Sequence, residues 1–579
     1  MPRVVIGCAV AVPVAAGVVA MAAGFVMEYG PIAEFIQAHS YSGDPAFLSP
    51  DYVARVVVRA RLLGILWLLA GLVLWWKRKA FVETISSWHH DRLHTGIRRD
   101  PILYGIAALY LGLAGYFLNQ PMHPDEARTV NAYALRPFAV AWADTTAPNN
   151  HVLHTLAVKA SVSVFGLNEP ASRVPAYLAG LGVILGGYLL ALQLYERRRY
   201  ARVYAALLAT GGPLILFGST GRGYSLMVAC MLFLFWSVSG LLRDGRSARL
   251  WFVCGVSVLV GMATLPLMLM PVLAAFSLIL WSSLKRRDEQ GRALLKGALL
   301  VCVPAGLAVL LFYTPALVMV ERAMLTDRPT VVPFAEWPSA LSGSLAATGA
   351  FFAYGSYGLV RLALIAFFIV FVLTQWKCPA FLLVVWTLVW TLLPLALFRY
   401  VPYERTLIHV YALWLLGAVG GVQAVSTRWH RHPGVGRVLM GILSLAAVVN
   451  AYGLVDRSES GTLMPDYFLS DAPAIVEALK EDLREDDIIV CRSPSASSLI
   501  FYVNKHGLKH RVYDVREFRP RVNARDAGRR LIVVRIDYQR LEVEQAVVSE
   551  DQDLAFLLED TVEYPRSTVK IYRIQAKRP

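Results

Sequence analysis

An acidic pair, Asp125-Glu126, follows directly on an apolar run that ends near Leu118. A carboxylate at such a place lies at the rim of a bilayer, partly desolvated, where its pKa can be tuned and where it can take a proton from a hydroxyl. By itself, an Asp-Glu pair at a helix exit is as readily a cap or a solvated anchor. The stretch it opens, His123 to Gly180, also carries Arg128, Asp144, Asn149, Asn150, His151, His154, Lys159, Glu169 and Arg173. It is too long for a simple connector, and its second half is too apolar for a solvated tail. We read it as a candidate active-site loop lying on one membrane face.

The rest of the chain must hold that loop at the membrane. Of its 579 residues 56% are hydrophobic and only 17% are charged, against about 25% charged in an average soluble domain. Long, nearly uncharged runs recur along it, which predicts a polytopic helical membrane protein. The net charge of +15 could suggest nucleic acid, but the basic residues form short clusters between apolar runs. Membrane topology explains that pattern, with some attraction to anionic lipid headgroups. The six cysteines are scattered without metal-ligand spacing, so they read as small buried hydrophobes rather than as a disulfide framework or zinc site.

The runs predict about 13 spans. The first is Val4–Met27, which also resembles a secretory signal; the second is Tyr52–Trp76, ending in Trp75-Trp76 and Lys77-Arg78-Lys79. The third, Pro101–Leu118, returns outward and places the acidic stretch outside. The fourth to ninth are expected over Val174–Leu194, Val203–Phe217, Leu226–Leu242, 250–265, 267–284 and Leu294–Tyr313. A second outer loop, 316–358, contains Trp337 and amphipathic pieces that suit helices lying in the interface. The last four spans fall at 359–376, 379–398, 407–425 and 437–455. The large basic clusters then all face inward, with the N-terminus inside and the C-terminus outside.

After Asp456 the composition turns polar and alternating. A helix capped by Ser470 or Asp471 and running to about Arg484 should be followed by a strand at DDIIVCR and a helix around Ser497–Lys505. Strands at HRVYDV and RRLIVVRIDY, a helix near Asp551–Glu559 and a strand at STVKIYRI complete a small α/β domain. It would cap the outer face, structurally or to admit an acceptor. The chain thus divides into an N-terminal two-helix membrane unit (1–100), a membrane domain (101–455) with outer loops 119–173 and 316–358, and an extracytoplasmic α/β domain (456–579).

Several motifs together resemble the integral-membrane GT-C glycosyltransferases. That superfamily includes protein O-mannosyltransferases, the aminoarabinose transferases of lipid A and the rhizobial lipopolysaccharide-core transferases. The matching elements are HPDE after a span, the Asn150-His151 element, and Phe165-Gly166 followed by Arg173-Val174-Pro175 at the start of the next span. GRGYSL, with Arg222 and Tyr224, and PYERTLIHVYAL, with Tyr403 and Arg405, resemble further outer-end motifs. The likeness is dense over residues 101–230 and thinner to 425. In the family the acidic pair follows the first span, whereas here it follows the third, so residues 1–100 look like an addition.

The resemblance implies inverting transfer of a sugar from a polyprenyl-phosphate donor to an acceptor glycan, lipid or protein. Asp125 would be the base, with Glu126 orienting the acceptor or the base. His151, Asn150, Arg222, Tyr224, Tyr403 and Arg405 would hold the donor phosphate, for which arginine's planar fork is suited. Each has a plainer reading: Arg222 can snorkel, and His151 can be a satisfied interfacial histidine. Lys159 and His154 are within reach of substrate, and Asp144 is either a second acidic partner or, preferably, a turn residue. Arg173 is expected to pair with Glu169 as structure. No cofactor or metal is expected to be required, although converging carboxylates could hold a divalent ion. A bacterial inner membrane is the expected location. A flippase, transporter or polymerase for isoprenoid-linked glycans is the competing class, but transporters place polar and broken-helix features at the midplane, and here the polar residues gather at outer ends.

Overall fold

A computed structural model of the chain describes residues 50–86, 100–144, 149–286, 288–319, 331–429, 431–458, 469–508, 512–516, 519–536, 541–549 and 554–576, with positions 12, 14–20 and 34 besides. Most of the expected first span and all of the basic stretch 87–99 lie outside the described residues.

A bilayer core offers nothing to bond a bare N–H or C=O, so apolar runs close their own hydrogen bonds as helices. From Pro50 on, the described residues form α1 (Pro50–Ser86), α2 (Pro101–Tyr116), α3 (Pro124–Thr129) and, after a π-helical turn at Val130–Ala134, α4 (Phe138–Ala143). Then come α5 (Val152–Phe165), α6 (Glu169–Tyr195), α7 (Arg198–Thr210), α8 (Gly212–Gly218), α9 (Tyr224–Leu241), α10 (Ala248–Thr264), α11 (Leu269–Arg286) and α12 (Glu289–Met319). The helical part ends with α13 (Trp337–Phe352), α14 (Gly358–Thr374), α15 (Pro379–Phe398), α16 (Ile408–Arg428) and α17 (Pro433–Asp456). Among the described residues eight helices are long and apolar enough to cross a membrane, and the bent pair α7–α8 makes up to a ninth; α2, α5, α10 and α14 are shorter apolar helices. The protein is a multi-pass membrane protein. α9 is the hub, almost wholly buried against α6 and α10, whereas α1, α12 and α15 keep most of their apolar surface outward. At one end of α1, Lys77 and Arg78 lie over the rings of Trp76 and Trp75 at 4.4 and 3.9 Å, an arrangement suited to a headgroup layer.

Two spans depart from expectation. α6 starts at Glu169 rather than near Val174, because the Asn168 side chain caps it by accepting the Ala171 N–H at 2.8 Å and Pro170 fits the first turn. The fifth span is broken, with α7 and α8 bent by 62°. Pro213 has no N–H to give to the Ala209 carbonyl, so α7 cannot run on through it, and Gly211 turns extended at the break. At Gly212 the chain also presses on the backbone of Tyr354, where an added Cβ would lie 2.2 Å from its carbonyl oxygen. In the second loop, α13 is helical as the amphipathic pattern suggested, and residues 320–330 lie outside the described ones.

The C-terminal unit contains α18 (Ala472–Leu479), β1 (Ile488–Cys491), α19 (Ser495–Lys505), β2 (Val512–Asp514), β3 (Arg521–Val522), β4 (Arg530–Ile536), α20 (Val543–Ala546), β5 (Val548–Ser549), β6 (Leu554–Tyr564) and β7 (Ser567–Ala576). Its main sheet has the order β2-β1-β4-β7-β6, parallel across β2, β1 and β4 and antiparallel at β7 and β6. The helix expected near Asp551–Glu559 is instead strand β6. Its leucines fit either period, and the neighbouring β7, joined by a tight turn at Pro565-Arg566, decides the matter by offering a full ladder. Asp471 occupies the N-cap position of α18 but makes no cap bond there. Its carboxylate accepts the Arg566 N–H at 2.9 Å and the Ser567 hydroxyl at 2.7 Å, tying α18 to that turn.

This unit is not a detached cap. Leu469, Ile475, Phe501 and Tyr502 share one hydrophobic cluster with Met122, Ala127, Val130 and Val158 of the acidic stretch.

Candidate active site

The acidic pair sits on α3, a helix made by local chemistry. Pro124 fills its first turn, His123 Nδ1 accepts the Asp125 N–H at 3.2 Å, and Glu126 Oε1 accepts the His123 N–H at 2.8 Å. This reciprocal cap turns the two carboxylates apart. Glu126 points inward and is fully buried. Besides His123 it accepts the Gly221 N–H at 2.7 Å, the Arg173 Nε–H at 3.1 Å and a bond from Arg173 Nη2. Arg173 spends its remaining donors on the carbonyls of Leu118 at 2.8 Å, Gln120 at 2.6 Å and Pro121 at 3.1 Å. Burial would raise the Glu126 carboxyl, but Arg173 and the two main-chain donors outweigh it and hold it below its ordinary value.

The structure therefore gives Glu126 a different task from the one expected. Its acceptor positions are taken by its own chain, so it anchors α3 to α6 and to the 219–223 turn rather than orienting an acceptor. The expected Arg173–Glu169 pair is corrected too: Arg173 serves Glu126, and Glu169 binds Lys505 of α19 at 2.7 Å.

Asp125 points the other way, with its side chain 26% exposed. Its Oδ2 lies 3.4 Å from Arg405 Nη2 and 3.9 Å from Arg222 Nη2, and Asn149 Nδ2 donates to Oδ1 at 3.3 Å. Burial acts to raise this carboxyl. Arg222, His123 and Arg405, with the Asn149 amide, more than offset it, so Asp125 is held well below the usual carboxylate range. Arg222 is buried at 5% exposure and also donates to the Asp125 carbonyl at 3.3 Å. Arg405 is held over the Tyr403 ring at 4.6 Å.

The remaining expected residues divide. His151 is buried, its ring edge-on to Tyr224 at 5.0 Å, and its Nδ1 accepts the Gly223 N–H at 2.8 Å. Burial first, then Arg222, keep its imidazole well below the ordinary value. A neutral ring whose Nδ1 accepts must carry its proton on Nε2. His154 is buried as well, held down to about 3 by burial and Arg222, and neither ring nitrogen has a hydrogen-bond partner among the described residues. Tyr224 is buried against Phe217, whereas Tyr403 is exposed.

Asn150 cannot serve as the expected phosphate donor. Its Nδ2 is committed to the carbonyls of Ala141 at 2.9 Å and Asp144 at 2.6 Å. Asp144 thus contributes its backbone carbonyl to holding Asn150. Lys159 donates to the carbonyls of Ala134 at 3.0 Å and Arg136 at 2.6 Å, stopping the π-helical turn rather than facing substrate. Among the described residues no group of three His, Cys, Asp or Glu could hold a metal ion.

Sequence reasoning missed Asn149, His123 and the Gly221 N–H as partners of the acidic pair. Asn149 stood next to a chosen residue, but only the α3 cap reveals which of the two asparagines faces Asp125.

The site thus joins one part-exposed carboxylate to two guanidinium forks, drawn from α3, the turn before α9 and the turn before α16. No protein-family model matches the sequence, and no curated protein matches it. A solved structure does: ArnT from Cupriavidus metallidurans bound to undecaprenyl phosphate, at 13% identity and TM-score 0.51, covering 80% of this chain and 97% of ArnT. The chain has the GT-C fold. Weaker likenesses run to the oligosaccharyltransferase of Archaeoglobus fulgidus, at 13% identity and TM-score 0.44 over 69% of this chain and 61% of that one. The arabinosyltransferase EmbB of Mycobacterium smegmatis follows, at 14% identity and TM-score 0.38 over 78% of this chain and 44% of EmbB.

Proposed function

We propose that this protein is a membrane glycosyltransferase that moves a sugar from a polyprenyl-phosphate donor to an acceptor at the membrane face bearing Asp125, with inversion at the anomeric carbon. The observation that carries the proposal is Asp125 Oδ2 set between Arg405 and Arg222 at 3.4 and 3.9 Å, just beyond the end of α2. The fold shared with ArnT, solved with undecaprenyl phosphate bound, supports a lipid phosphate as the anion those forks would take.

In this reading the donor's phosphate displaces Asp125 from the two guanidiniums, which grip its oxygens in pairs. The neutral His151 offers its Nε2–H, and His154, buried beside Arg222 without a hydrogen-bond partner among the described residues, offers a further polar edge. The acceptor hydroxyl then attacks the anomeric carbon from the side opposite the phosphate. Its proton passes to Asp125, the new carbon–oxygen bond forms, and the bond to the phosphate oxygen breaks with its electron pair. The arginines neutralise the leaving phosphate.

The arrangement also explains how a poor resting base becomes useful. In the empty site the guanidiniums hold the Asp125 carboxyl low, so it has little proton affinity. A phosphate that occupies them removes part of that field, and the carboxylate becomes more basic once the donor is seated. The testing experiment is Asp125→Asn in membranes supplied with a polyprenyl-phosphate sugar: transfer is expected to be lost while the protein still folds and binds undecaprenyl phosphate. Wild-type transfer by that variant would remove Asp125 from the role.

A further inference from the structure

Asp125 lies on a segment that cannot hold itself in place. α3 is six residues long and runs straight into a five-residue π-helical turn, and a helix so short has little stability of its own. Its inner side is fixed by the Glu126–Arg173 pair. Its two ends are fixed by something else, helix α19 of the C-terminal unit.

At the front end, Met122 immediately precedes the His123 cap. The Met122 N–H is accepted by the Tyr502 hydroxyl at 3.0 Å, and the Met122 carbonyl accepts the Ser498 hydroxyl at 2.9 Å. Tyr502 and Ser498 are four residues apart on α19, so one face of that helix satisfies both polar groups of one buried residue. At the back end, Asn131 Nδ2 donates to the Ser497 carbonyl at 2.9 Å, and Asn131 Oδ1 accepts from Asn504 Nδ2 at 3.3 Å. Lys505, the last residue of α19, meets Glu169 at 2.7 Å, at the start of the helix that carries Arg173. Tyr502, Ser498 and Asn131 are all buried.

Resting on the transferase reading above, we infer that α19 is the positioning element for Asp125, with Tyr502 and Ser498 as positioning residues that set the carboxylate against the reacting hydroxyl. The two pins straddle Asp125, one at Met122 and one at Asn131, so slack at either end lets the carboxylate swing while the arginines stay where α9 and α16 place them. Geometry then separates two quantities. Donor binding depends on Arg222, Arg405 and His151, none of which bonds to α19 in any contact described above. Proton transfer depends on where Asp125 sits, and a misplacement of about 1 Å in a reacting group costs on the order of a hundredfold in rate.

The test uses the full-length protein in lipid nanodiscs, with Tyr502→Phe and Ser498→Ala singly and together. Two readouts are taken: steady-state transfer, and hydrogen exchange over residues 122–131. For the double variant kcat is expected to fall about tenfold or more, with the donor KM and the Kd for undecaprenyl phosphate within about twofold of the parent, and the 122–131 amides exchanging faster than in the parent while those of α9 do not change. An unchanged kcat overturns the inference, as does a KM that rises in step with the loss of kcat. Exchange is read whether or not transfer is seen. If the parent shows no transfer, the transferase reading fails, and unchanged exchange over 122–131 then overturns the positioning claim on its own terms.

Discussion

At the residue scale, Asp125 and Glu126 are neighbours in sequence and opposites in environment. Asp125 is part-exposed and faces two guanidiniums, and Glu126 is sealed among four donors. The sequence marked both as acids at a helix exit but could not say which way either pointed, since that depends on the His123 cap and on Gly221 N–H, far along the chain. Arg222 and Arg405 were legible because each follows an apolar run, with an aromatic residue two positions away. Replacing Arg405 by Ala removes one fork from the leaving phosphate. The expected loss is about 1.5–3 kcal/mol, roughly ten- to hundredfold in donor KM or kcat/KM. Arg405→Lys should recover little of it, because an ammonium cannot grip two oxygens at once. A lysine variant indistinguishable from the parent would show that charge alone suffices.

The same residues fix a pH signature. In the free protein Asp125 is depressed below ordinary carboxylates, so it stays ionised through the neutral and mildly acidic range and gives no acidic limb there. Seating the phosphate raises it. Since kcat/KM reports the free protein and kcat the complex, the acidic limb of kcat should lie at higher pH than that of kcat/KM. Coincident limbs would mean that the donor leaves Asp125's surroundings unchanged.

At the element scale, the buried Glu126–Arg173 pair is the joint between α3 and α6. Taking away one partner of such a pair leaves the other charged and buried, which costs about 3–5 kcal/mol. Arg173→Ala should therefore lower the thermal unfolding midpoint in detergent clearly, and more than Arg405→Ala, whose partner is part-exposed. Equal midpoints would contradict the division of labour between the two acids. Arg173 lay in a recognisable Arg-x-Pro element, yet Glu169, four residues away on the same helix, was the more local partner to choose. Tertiary packing overrode it by bringing Lys505 to Glu169. β6 shows the same limit in another form: Leu554, Leu557 and Leu558 fit a helical face, and only β7 alongside makes them a strand.

At the scale of the whole molecule, the membrane architecture was the most legible part, because an apolar run in a bilayer has one way to satisfy its backbone. The helices α1, α2, α6 to α12 and α14 to α17 follow those runs, apart from the extension of α1 to Ser86, the early start of α6 and the break at Gly211-Gly212-Pro213, whereas α3, α4, α5 and α13 lie in the expected outer loops. Least legible was the seam between the C-terminal unit and the acidic stretch. It depends on Tyr502, Ser498 and Asn131, ordinary residues whose meaning comes only from being brought together across most of the chain. That seam lies beside the α3 segment that carries Asp125.

The most direct test places the purified protein in proteoliposomes with a panel of undecaprenyl-phosphate sugars and follows release of undecaprenyl phosphate beside glycosylated acceptor. The account predicts transfer by the parent with inverted anomeric configuration, and none by Asp125→Asn, which still binds the lipid phosphate. Transfer that persists in Asp125→Asn, or a product that retains the donor's configuration, would contradict it.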